Sequence, residues 1–383
     1  MQYYKIWRHF DVLLLAAVAI MTISGVAIIR SAIAGNETLL GLPTRQAQFS
    51  LAGFVVVILL AAIDYRIWSS LTRLIYAVTI VLLGGISAAG IAGFGSQRWF
   101  QVGTLFLQPS EIAKVAMILV LANFFDRNRD RLHRTGTIIR SLMWLAPPAA
   151  LIFIQPDLST TITLGVIWFS MVWAVGVPIK TLLRLVGIIL IVVLVLSPFI
   201  ANYFINGYPQ GEDFGLIKNY QMDRVVNFLF PDPEASFGET YNIIQARIAI
   251  GNGGWFGKGY GSGTQVQLRF LKVRHTDFIF AAISEEFGFV GATIFILLLM
   301  FIIVRILRAA RLARDTYGAL ICYAVAALFL FQGSFNIGMN LNLFPVSGLP
   351  LPFLSYGGSS LLGSLLSIGL VESVILRHKK IEL

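Results

Sequence analysis

Long apolar runs separated by short polar segments constrain this chain more than any other feature. Ten such runs occur, at 12–29, 47–63, 74–92, 111–125, 138–154, 158–175, 182–200, 278–304, 318–337 and 355–376. A helix needs about 20 apolar residues to cross the hydrocarbon core of a bilayer. Only 13% of the residues are charged, whereas soluble domains carry about 25%. We therefore predict an all-α integral membrane protein of about ten transmembrane helices, although polar residues in three runs leave nine or eight spans open.

The start of the chain resembles a secretory signal, because the segment 31–34 (SAIA) has the small residues of a signal-peptidase site. The apolar run before it is longer than the usual h-region of about 7–15 residues. We therefore expect this run to be retained as the first span. The single cysteine, Cys322, lies within an apolar run, so no disulfide framework can form and the thiol is expected to be buried.

The basic residues indicate how the chain is oriented in the membrane. The chain has 29 Lys and Arg against 19 Asp and Glu, a net charge of +10. If the N-terminus is cytoplasmic, most of the basic residues fall in cytoplasmic segments, with clusters at 127–134 and 305–314. Short cytoplasmic loops carry an excess of Lys and Arg. We therefore predict that both termini are cytoplasmic and that the charge serves topology and contact with anionic membrane lipid, with no nucleic-acid partner.

One connection is much longer than the others. Residues 201–276 separate the seventh and eighth runs and lie on the outer face in this orientation. Long loops in compact proteins are usually functional or disordered. This loop contains apolar and aromatic runs as well as many glycines, so we expect it to fold onto the outer surface. The whole chain, 1–383, is predicted to be one polytopic membrane domain.

Ionisable residues within apolar runs are candidates for function because their burial in a bilayer is costly. Glu111 and Lys114 lie three residues apart, on one face of a helix. They form either a structural ion pair or a site in which Glu111 positions a lysine that meets a phosphate. Asp157 follows a proline between two runs, where an aspartate either caps the next helix or belongs to a site.

A second group of polar residues lies where the long loop enters the eighth run. His275 and Asp277 occur together there, and Glu285 follows two helical turns later. Asp277 could be only a helix cap. A carboxylate at a water–membrane boundary can also act as a general base or a metal ligand. Glu286 points to another face of the helix and is expected to bond a neighbouring span.

Two segments have unusual backbone requirements. The glycine-rich stretch 251–264 lacks the Walker A spacing; it is either a cradle for a diphosphate, with Lys258 at its centre, or a flexible re-entrant loop. The segment 345–353 contains three prolines and cannot be a regular helix. At membrane depth such a segment must be buried in protein or line a water-filled cavity.

The chain resembles the SEDS family (shape, elongation, division and sporulation proteins), and its rod-shape branch in particular. The motifs that carry the resemblance occur in family order, at 97–99 (QRW), 108–111 (QPSE) with Lys114, 155–158 (QPDL), 220–221 (YQ) with Arg224, 248–251 (IAIG), 257–259 (GKG), 263–265 (GTQ), 275–280 (HTDFIF), 285–286 (EE), 351–352 (LP) and 355–358 (SYGG). Gln155 and Pro350 favour the rod-shape branch over the division branch. The segment 271–274 (LKVR) departs from relatives, which commonly have Leu-Pro before the HTD motif.

The resemblance implies a bacterial peptidoglycan glycosyltransferase of the cytoplasmic membrane that polymerises lipid II during cell elongation. Asp277 matches the essential aspartate of the family, as general base or metal ligand. Glu111 and Lys114 match its intramembrane pair, and Asp157 matches a further functional position. The remaining candidates for substrate binding share a polar or cationic side chain and are Arg98, Arg224, Lys258 and His275.

The resemblance also implies partners. A class B penicillin-binding protein is expected to cross-link the new strand, and undecaprenyl diphosphate is the expected leaving group. A divalent cation, magnesium or manganese, is compatible with diphosphate chemistry. Two alternatives stay open at this point: a lipid II flippase, in which the buried charges line a headgroup path, and a non-catalytic scaffold for the penicillin-binding protein. A transporter should hold its site near the bilayer midplane, whereas the candidates here concentrate at the outer boundary.

Overall fold

The computed structural model describes residues 7–89, 91–93, 96–102, 105–203, 219–231 and 238–378. Helices dominate these ranges, and one small sheet joins two of them. The helices, in chain order, are α1 (Val12–Ala32), α2 (Leu42–Ala62), α3 (Arg66–Ser70), α4 (Thr72–Ala89), α5 (Pro109–Arg127), α6 (Thr135–Ile154), α7 (Leu158–Ala174), α8 (Ile179–Asn202), α9 (Asn219–Leu229), α10 (Gly238–Gly253), α11 (Thr264–Gln267), α12 (Ile279–Leu312), α13 (Thr316–Asn340) and α14 (Gly358–Leu376). The strands are β1 (Ile91–Gly93), β2 (Ser96–Val102) and β3 (Leu105–Leu107).

Each of the ten predicted spans overlaps a helix of at least 17 residues. Within the described ranges, six helical segments are both long and apolar enough to cross a membrane. They are Val12–Ala32, Glu37–Ala62, Thr135–Ile154, Ile279–Leu312, Thr316–Asn340 and Gly358–Leu376. The chain is therefore a mostly helical, multi-pass membrane protein. The count of ten spans remains a prediction.

The sheet is the feature that an all-α prediction missed. β1 pairs antiparallel with β2, and β2 pairs antiparallel with β3, with Phe100 opposite Leu107. Its three strands lie between residues 91 and 107. Aromatic and β-branched residues such as Trp99 and Val102 favour strands. The third strand leads directly into α5, so the sheet fixes where that helix begins.

Small residues let α2 and α14 pack closely. A Cβ atom added to Gly53 would lie 2.2 Å from the Leu365 side chain, and one added to Gly358 would lie 2.4 Å from the Phe49 ring. Such distances leave no room for a side chain, which is the usual reason for glycine at interfaces between membrane helices. The start of α14 is therefore held firmly against α2, beside the segment that carries the site.

The described part of the long loop packs against the helices, and its position on the outer face stays a prediction. Helix α10 packs on α12, and an apolar cluster that includes Ile243, Ala246, Leu271, Phe278 and Val346 joins the loop to the rest of the molecule. Helix α12 has 34 residues, and its backbone leaves the helical conformation at Gly288, where φ is 68°. The start of α12, before this interruption, lies beside the folded loop.

Candidate functional site

The backbone at Asp277 is anchored by two asparagines of α13. The side-chain amides of Asn336 and Asn340 both donate to the carbonyl oxygen of Asp277, at 3.1 Å each. The Asn336 amide also donates to the carbonyl of Leu349, at 2.8 Å. The Asn340 carbonyl accepts from the backbone N–H of Ala281, at 3.1 Å. These bonds tie the start of α12 to α13 and to the proline-rich segment.

The neighbouring residues of the HTD motif are held by the segment before α14. The backbone N–H of Tyr356 donates to the carbonyl of His275, at 2.9 Å. The hydroxyl of Ser355 donates to the carbonyl of Thr276, at 2.8 Å. The SYGG motif therefore positions the HTD motif through backbone carbonyls, which explains why the two motifs meet in space although some 80 residues separate them in the chain.

The interpretation of Asp277 as a helix cap is wrong. The cap residue of α12 is Phe278, and no side chain there makes a capping hydrogen bond. The Asp277 carboxylate has no hydrogen bond to any residue that the structure describes. A carboxylate without hydrogen bonds, next to firmly held backbone, is free to accept one from a substrate.

The electrostatics of Asp277 suit a general base. Burial, the largest effect, raises the pKa of Asp277 to about 6, and the negative charge of Glu239 adds to this, whereas the positive charge of Arg224 lowers it. Arg224 and Glu239 form an ion pair of 3.0 Å, with both side chains about one-third exposed. Asp277 keeps a small solvent-accessible face. A pKa near the working pH lets one carboxylate both take up and release a proton.

His275 lies beside this carboxylate in the sequence but is not a cation. Burial, and the positive charge of Arg274, lower the pKa of His275 to about 4. Its ring lies 6.0 Å from the ring of Tyr356, centroid to centroid. His275 is therefore neutral at physiological pH, and it can bind a substrate by hydrogen bonding but not by charge.

A cavity of about 80 Å³ brings together several predicted residues. Asp157, Ser159, Arg224 and Ser347 contribute its polar lining, and Pro345, with its neighbours in the proline-rich segment, contributes to the rest. The non-helical segment thus lines a cavity, as predicted. The ion pair of Arg224 connects this cavity to the surroundings of Asp277.

Asp157 caps a helix, and its role in a functional site stays a prediction. One carboxylate oxygen accepts from the backbone N–H of Thr160, at 3.1 Å, and so caps α7. The other accepts from the side-chain amide of Gln108, at 3.1 Å. Gln108 is the residue before α5, and its backbone N–H donates to the hydroxyl of Ser359, at 2.9 Å. Asp157 therefore joins the cavity to the start of the helix that carries the buried ion pair.

Glu111 and Lys114 form that pair within the first turns of α5. The ammonium of Lys114 lies 2.8 Å from the Glu111 carboxylate, and the two side chains are 3% and 7% exposed. A lone charge in this place would be very costly, so each group stabilises the other. The described contacts link this pair to Asp157 through Gln108 but make no direct link to Asp277.

The glycine-rich stretch serves close backbone packing. A Cβ atom on Gly253 would lie 1.9 Å from the carbonyl oxygen of Ser284, and one on Gly257 would lie 2.2 Å from that of Glu286. The backbone N–H of Lys258 donates to the carbonyl of Glu285, at 2.9 Å. The amides of Lys258 and Gly259 are thus occupied by carbonyls of α12 and are not available to a diphosphate, whereas the Lys258 side chain is exposed.

The structure assigns separate partners to the two glutamates of α12. Glu285 accepts from the backbone N–H groups of Gln265 and Val266, at 2.8 and 3.2 Å, which stabilises the start of α11. Glu286 accepts from the hydroxyl of Ser31 in α1, as predicted. Both glutamates therefore hold the fold in place around the site.

Other candidates contribute less. The backbone of Arg98 belongs to β2, and its side chain lies outside the described residues. Within the described ranges, no group of three or more His, Cys, Asp or Glu residues comes together to hold a metal ion. Sequence reasoning missed Asn336, Asn340 and Glu239; a signal existed for the two asparagines, because polar amides one turn apart in an apolar run need partners.

Comparisons with known proteins identify the family of the chain. A family model described as cell cycle protein, of the FtsW, RodA and SpoVE type, matches residues 6–380. The peptidoglycan glycosyltransferase MrdB of Escherichia coli K12 is 34% identical over 373 residues, which cover 97% of this chain and 95% of that protein. A probable peptidoglycan glycosyltransferase FtsW of Trichlorobacter lovleyi is 33% identical over 374 residues, which cover 96% and 93% of the two chains.

Solved structures are similar over the same length. A chain from a structure on the coordination of polymerization and crosslinking by a peptidoglycan synthase complex has a TM-score of 0.79 and 28% identity, with 96% of this chain and 98% of that chain covered. The rod shape determining protein RodA of Thermus thermophilus has a TM-score of 0.68 and 27% identity, with 96% of each chain covered. The chain therefore belongs to the FtsW, RodA and SpoVE family, the SEDS proteins.

Proposed function

We propose that this chain is the peptidoglycan glycosyltransferase of cell elongation and that its substrate is lipid II. The observation that carries the proposal is Asp277: its backbone is fixed by two asparagines, its carboxylate accepts no hydrogen bond from the described residues, and its pKa is raised to about 6. Relatives that match nearly the whole chain carry the name peptidoglycan glycosyltransferase. The activity is thus polymerisation of glycan strands by an enzyme.

Asp277 acts as general base in the proposed mechanism. It takes the proton from the acceptor sugar hydroxyl as that oxygen attacks the anomeric carbon of the donor. The bond from this carbon to the diphosphate breaks, and the diphosphate leaves with the electron pair. In-line displacement inverts the anomeric centre, so the new glycosidic bond has the β configuration.

Cations stabilise the charge that develops on the diphosphate, since preorganised electrostatics is usually the largest catalytic effect. Arg224 lines the cavity and is the best placed of the proposed groups. Lys114, Arg98 and Lys258 are the other candidates. A divalent ion such as magnesium keeps several waters and commonly binds one or two carboxylates together with substrate phosphates; Asp277 is the residue that would hold it, and the ion would supply further charge at the leaving group.

The proposed placement in the membrane follows the basic residues. The chain, 1–383, forms one domain of ten spans in the bacterial cytoplasmic membrane, both termini are cytoplasmic, and the loop 201–276 lies on the outer face. The site then opens to the outer face, where the polyprenyl tails of both substrates stay in the bilayer. The similar synthase complex supports a class B penicillin-binding protein as partner.

A lipid II flippase and a non-catalytic scaffold are the alternatives. The flippase needs a headgroup path lined by the buried charges, but Glu111 and Lys114 neutralise one another at 2.8 Å. A scaffold needs no general base, so this alternative does not account for the anchored backbone of Asp277 or for the raised pKa of its carboxylate. The scaffold predicts that substitution of Asp277 or Lys114 is tolerated when expression and partner binding are normal.

The test is polymer formation from purified lipid II, with the chain alone and with its penicillin-binding partner. Native protein, Asp277→Asn and the control Glu37→Gln, an exposed carboxylate, are compared on gels that resolve glycan length. Polymer from the native and control proteins, but not from Asp277→Asn, supports the proposal. Polymer from a well-folded Asp277→Asn protein overturns the role of the base, and no polymer from any folded protein with its partner overturns the enzyme.

A further inference from the structure

A second, larger cavity lies among the ends of three helices, away from the candidate site. It has a volume of about 410 Å³ and is lined by the start of α1, the end of α12 and the end of α14. In the proposed orientation these helix ends are cytoplasmic. None of the motifs assigned to glycosyl transfer contributes to the lining.

One ion pair and one hydrogen bond, both made by Asp11, join the three helices around this cavity. The Nε of Arg305 lies 2.9 Å from the Asp11 carboxylate, in a two-pronged contact with both oxygens. The backbone N–H of Asp11 donates to the carboxylate of Glu372, at 3.1 Å. The negative charge of Asp11 is therefore neutralised within the wall, and it does not oppose an anion in the cavity.

The remaining polar lining is cationic or able to donate. Arg308 lines the cavity one helical turn after Arg305. Its exposed guanidinium makes no hydrogen bond or ion pair with any residue in the part of the chain that the structure describes. The rings of His9 and His378 meet edge to face at 4.8 Å. The Nδ1 of His378 donates to the carbonyl of Ile375, at 2.7 Å.

The rim of the cavity is apolar and turned outward. Val12 and Leu13 are 67% and 59% exposed, and Leu312 is 42% exposed. All three lie at the ends of membrane-spanning helices, where exposed apolar side chains meet lipid. A molecule that fits this cavity therefore has an anionic head for Arg308 and an apolar tail for the rim.

We propose that this cavity binds an anionic membrane phospholipid, such as phosphatidylglycerol, at the cytoplasmic face. The phosphate lies against Arg308, and the acyl chains run along Val12 and Leu13. Anionic lipids are enriched in the cytoplasmic leaflet, and basic pockets between helices on that side bind their headgroups. A free phosphate would use the same cations but would leave the apolar rim unused.

The test uses the full-length chain in a neutral detergent. Native mass spectrometry and thermal unfolding are measured with phosphatidylglycerol, phosphatidylcholine and glycerol 3-phosphate. Phosphatidylglycerol is expected to bind and to raise the melting temperature, and the other two are not. Arg308→Gln is expected to weaken phosphatidylglycerol binding about fivefold, as one basic residue near a charged lipid surface contributes. Arg311→Gln, on the same helix end and also exposed, is the matched control.

Three outcomes would overturn the proposal. Equal weakening by Arg308→Gln and Arg311→Gln would mean diffuse attraction of lipid to basic charge. Equal binding of glycerol 3-phosphate would mean a site for free phosphate, and equal binding of phosphatidylcholine would mean that the charge of the head is irrelevant. Arg308→Lys keeps the charge and is expected to bind nearly as the native chain does, so it separates a lost charge from a damaged fold. The result does not depend on polymerisation and stands apart from the proposed function.

Discussion

Replacing Asp277 by Asn is expected to stabilise the protein while it abolishes polymerisation. The carboxylate is mostly enclosed by protein atoms and accepts no hydrogen bond from the described residues, so its charged form is disfavoured in the folded state. Asn has nearly the same shape and carries no charge. The substitution should therefore remove a cost that the native protein bears only for its chemistry.

The size of this effect follows from the pKa. The pKa of Asp277 rises from 3.8 to about 6 on folding, and each unit corresponds to about 1.36 kcal/mol. Since the folded state holds the proton more tightly, the ionised carboxylate destabilises the fold by about 3 kcal/mol at pH 7.5. This cost begins as pH rises above 3.8, is about half complete at pH 5, and is fully present above the folded pKa.

Thermal unfolding in detergent measures the difference. With about 2.1 cal/mol/K of unfolding entropy per residue, 3 kcal/mol corresponds to a rise in melting temperature of about 4 °C for Asp277→Asn at pH 7.5. The rise should fall to about half at pH 5 and to about a fifth at pH 4. Glu37→Gln, at an exposed carboxylate, should change the melting temperature little at any of these pH values.

The reasoning is refuted if Asp277→Asn melts at or below the native temperature at pH 7.5. It is also refuted if the rise is the same at pH 5 as at pH 7.5, because a lost charge must act through titration. If Asp277→Asn is more stable than the native protein but fully active, the electrostatic reasoning stands and Asp277 is not the general base.

Three further predictions follow from the same contacts. Glu111→Gln or Lys114→Met alone should destabilise the fold by about 3–5 kcal/mol, and the double variant should recover most of this loss. If each single variant has the melting temperature of the native chain, the ion pair does not stabilise the helix. Gly257→Ala should lower the melting temperature strongly because its Cβ meets a carbonyl and its φ is +81°, whereas the control Gly84→Ala, with open space around it, should be neutral or mildly stabilising. With a pKa of about 4, His275 is neutral between pH 5 and 8, so His275→Gln should keep the acid limb of the pH–rate profile near 6; a shifted limb would contradict this.

Much of the helical framework can be predicted from hydropathy alone, because the bilayer restricts spanning segments to one periodic form. The helices at Val12–Ala32 and Thr316–Asn340 extend the predicted runs by a few residues at most. The small sheet at 91–107 could not be predicted in this way, since its strands are short and their pairing depends on contacts between residues that hydropathy does not register.

The candidate site was predictable in its residues but not in its connections. Asp277, Asp157 and Arg224 were named from motifs, yet nothing in the spacing shows that Asp157 bonds Gln108 or that Arg224 pairs with Glu239. Such links join positions far apart in the chain, and they arise only when helices pack. The role of the glycine-rich stretch could not be predicted for the same reason. Glycines that allow a phosphate to approach the backbone and glycines that allow another backbone segment to approach look alike in sequence.

The hydrogen bonds around Asp277 explain how one residue can be both fixed and reactive. Asn336 and Asn340 donate to its backbone carbonyl rather than to its carboxylate. Had the amides bonded the carboxylate, they would have stabilised its charged form and lowered its pKa, which would weaken it as a base. By holding the backbone alone, α13 fixes the point from which the side chain projects, and burial is left to raise the pKa of the carboxylate. The backbone position and the basicity of the proposed general base are thus set by different contacts.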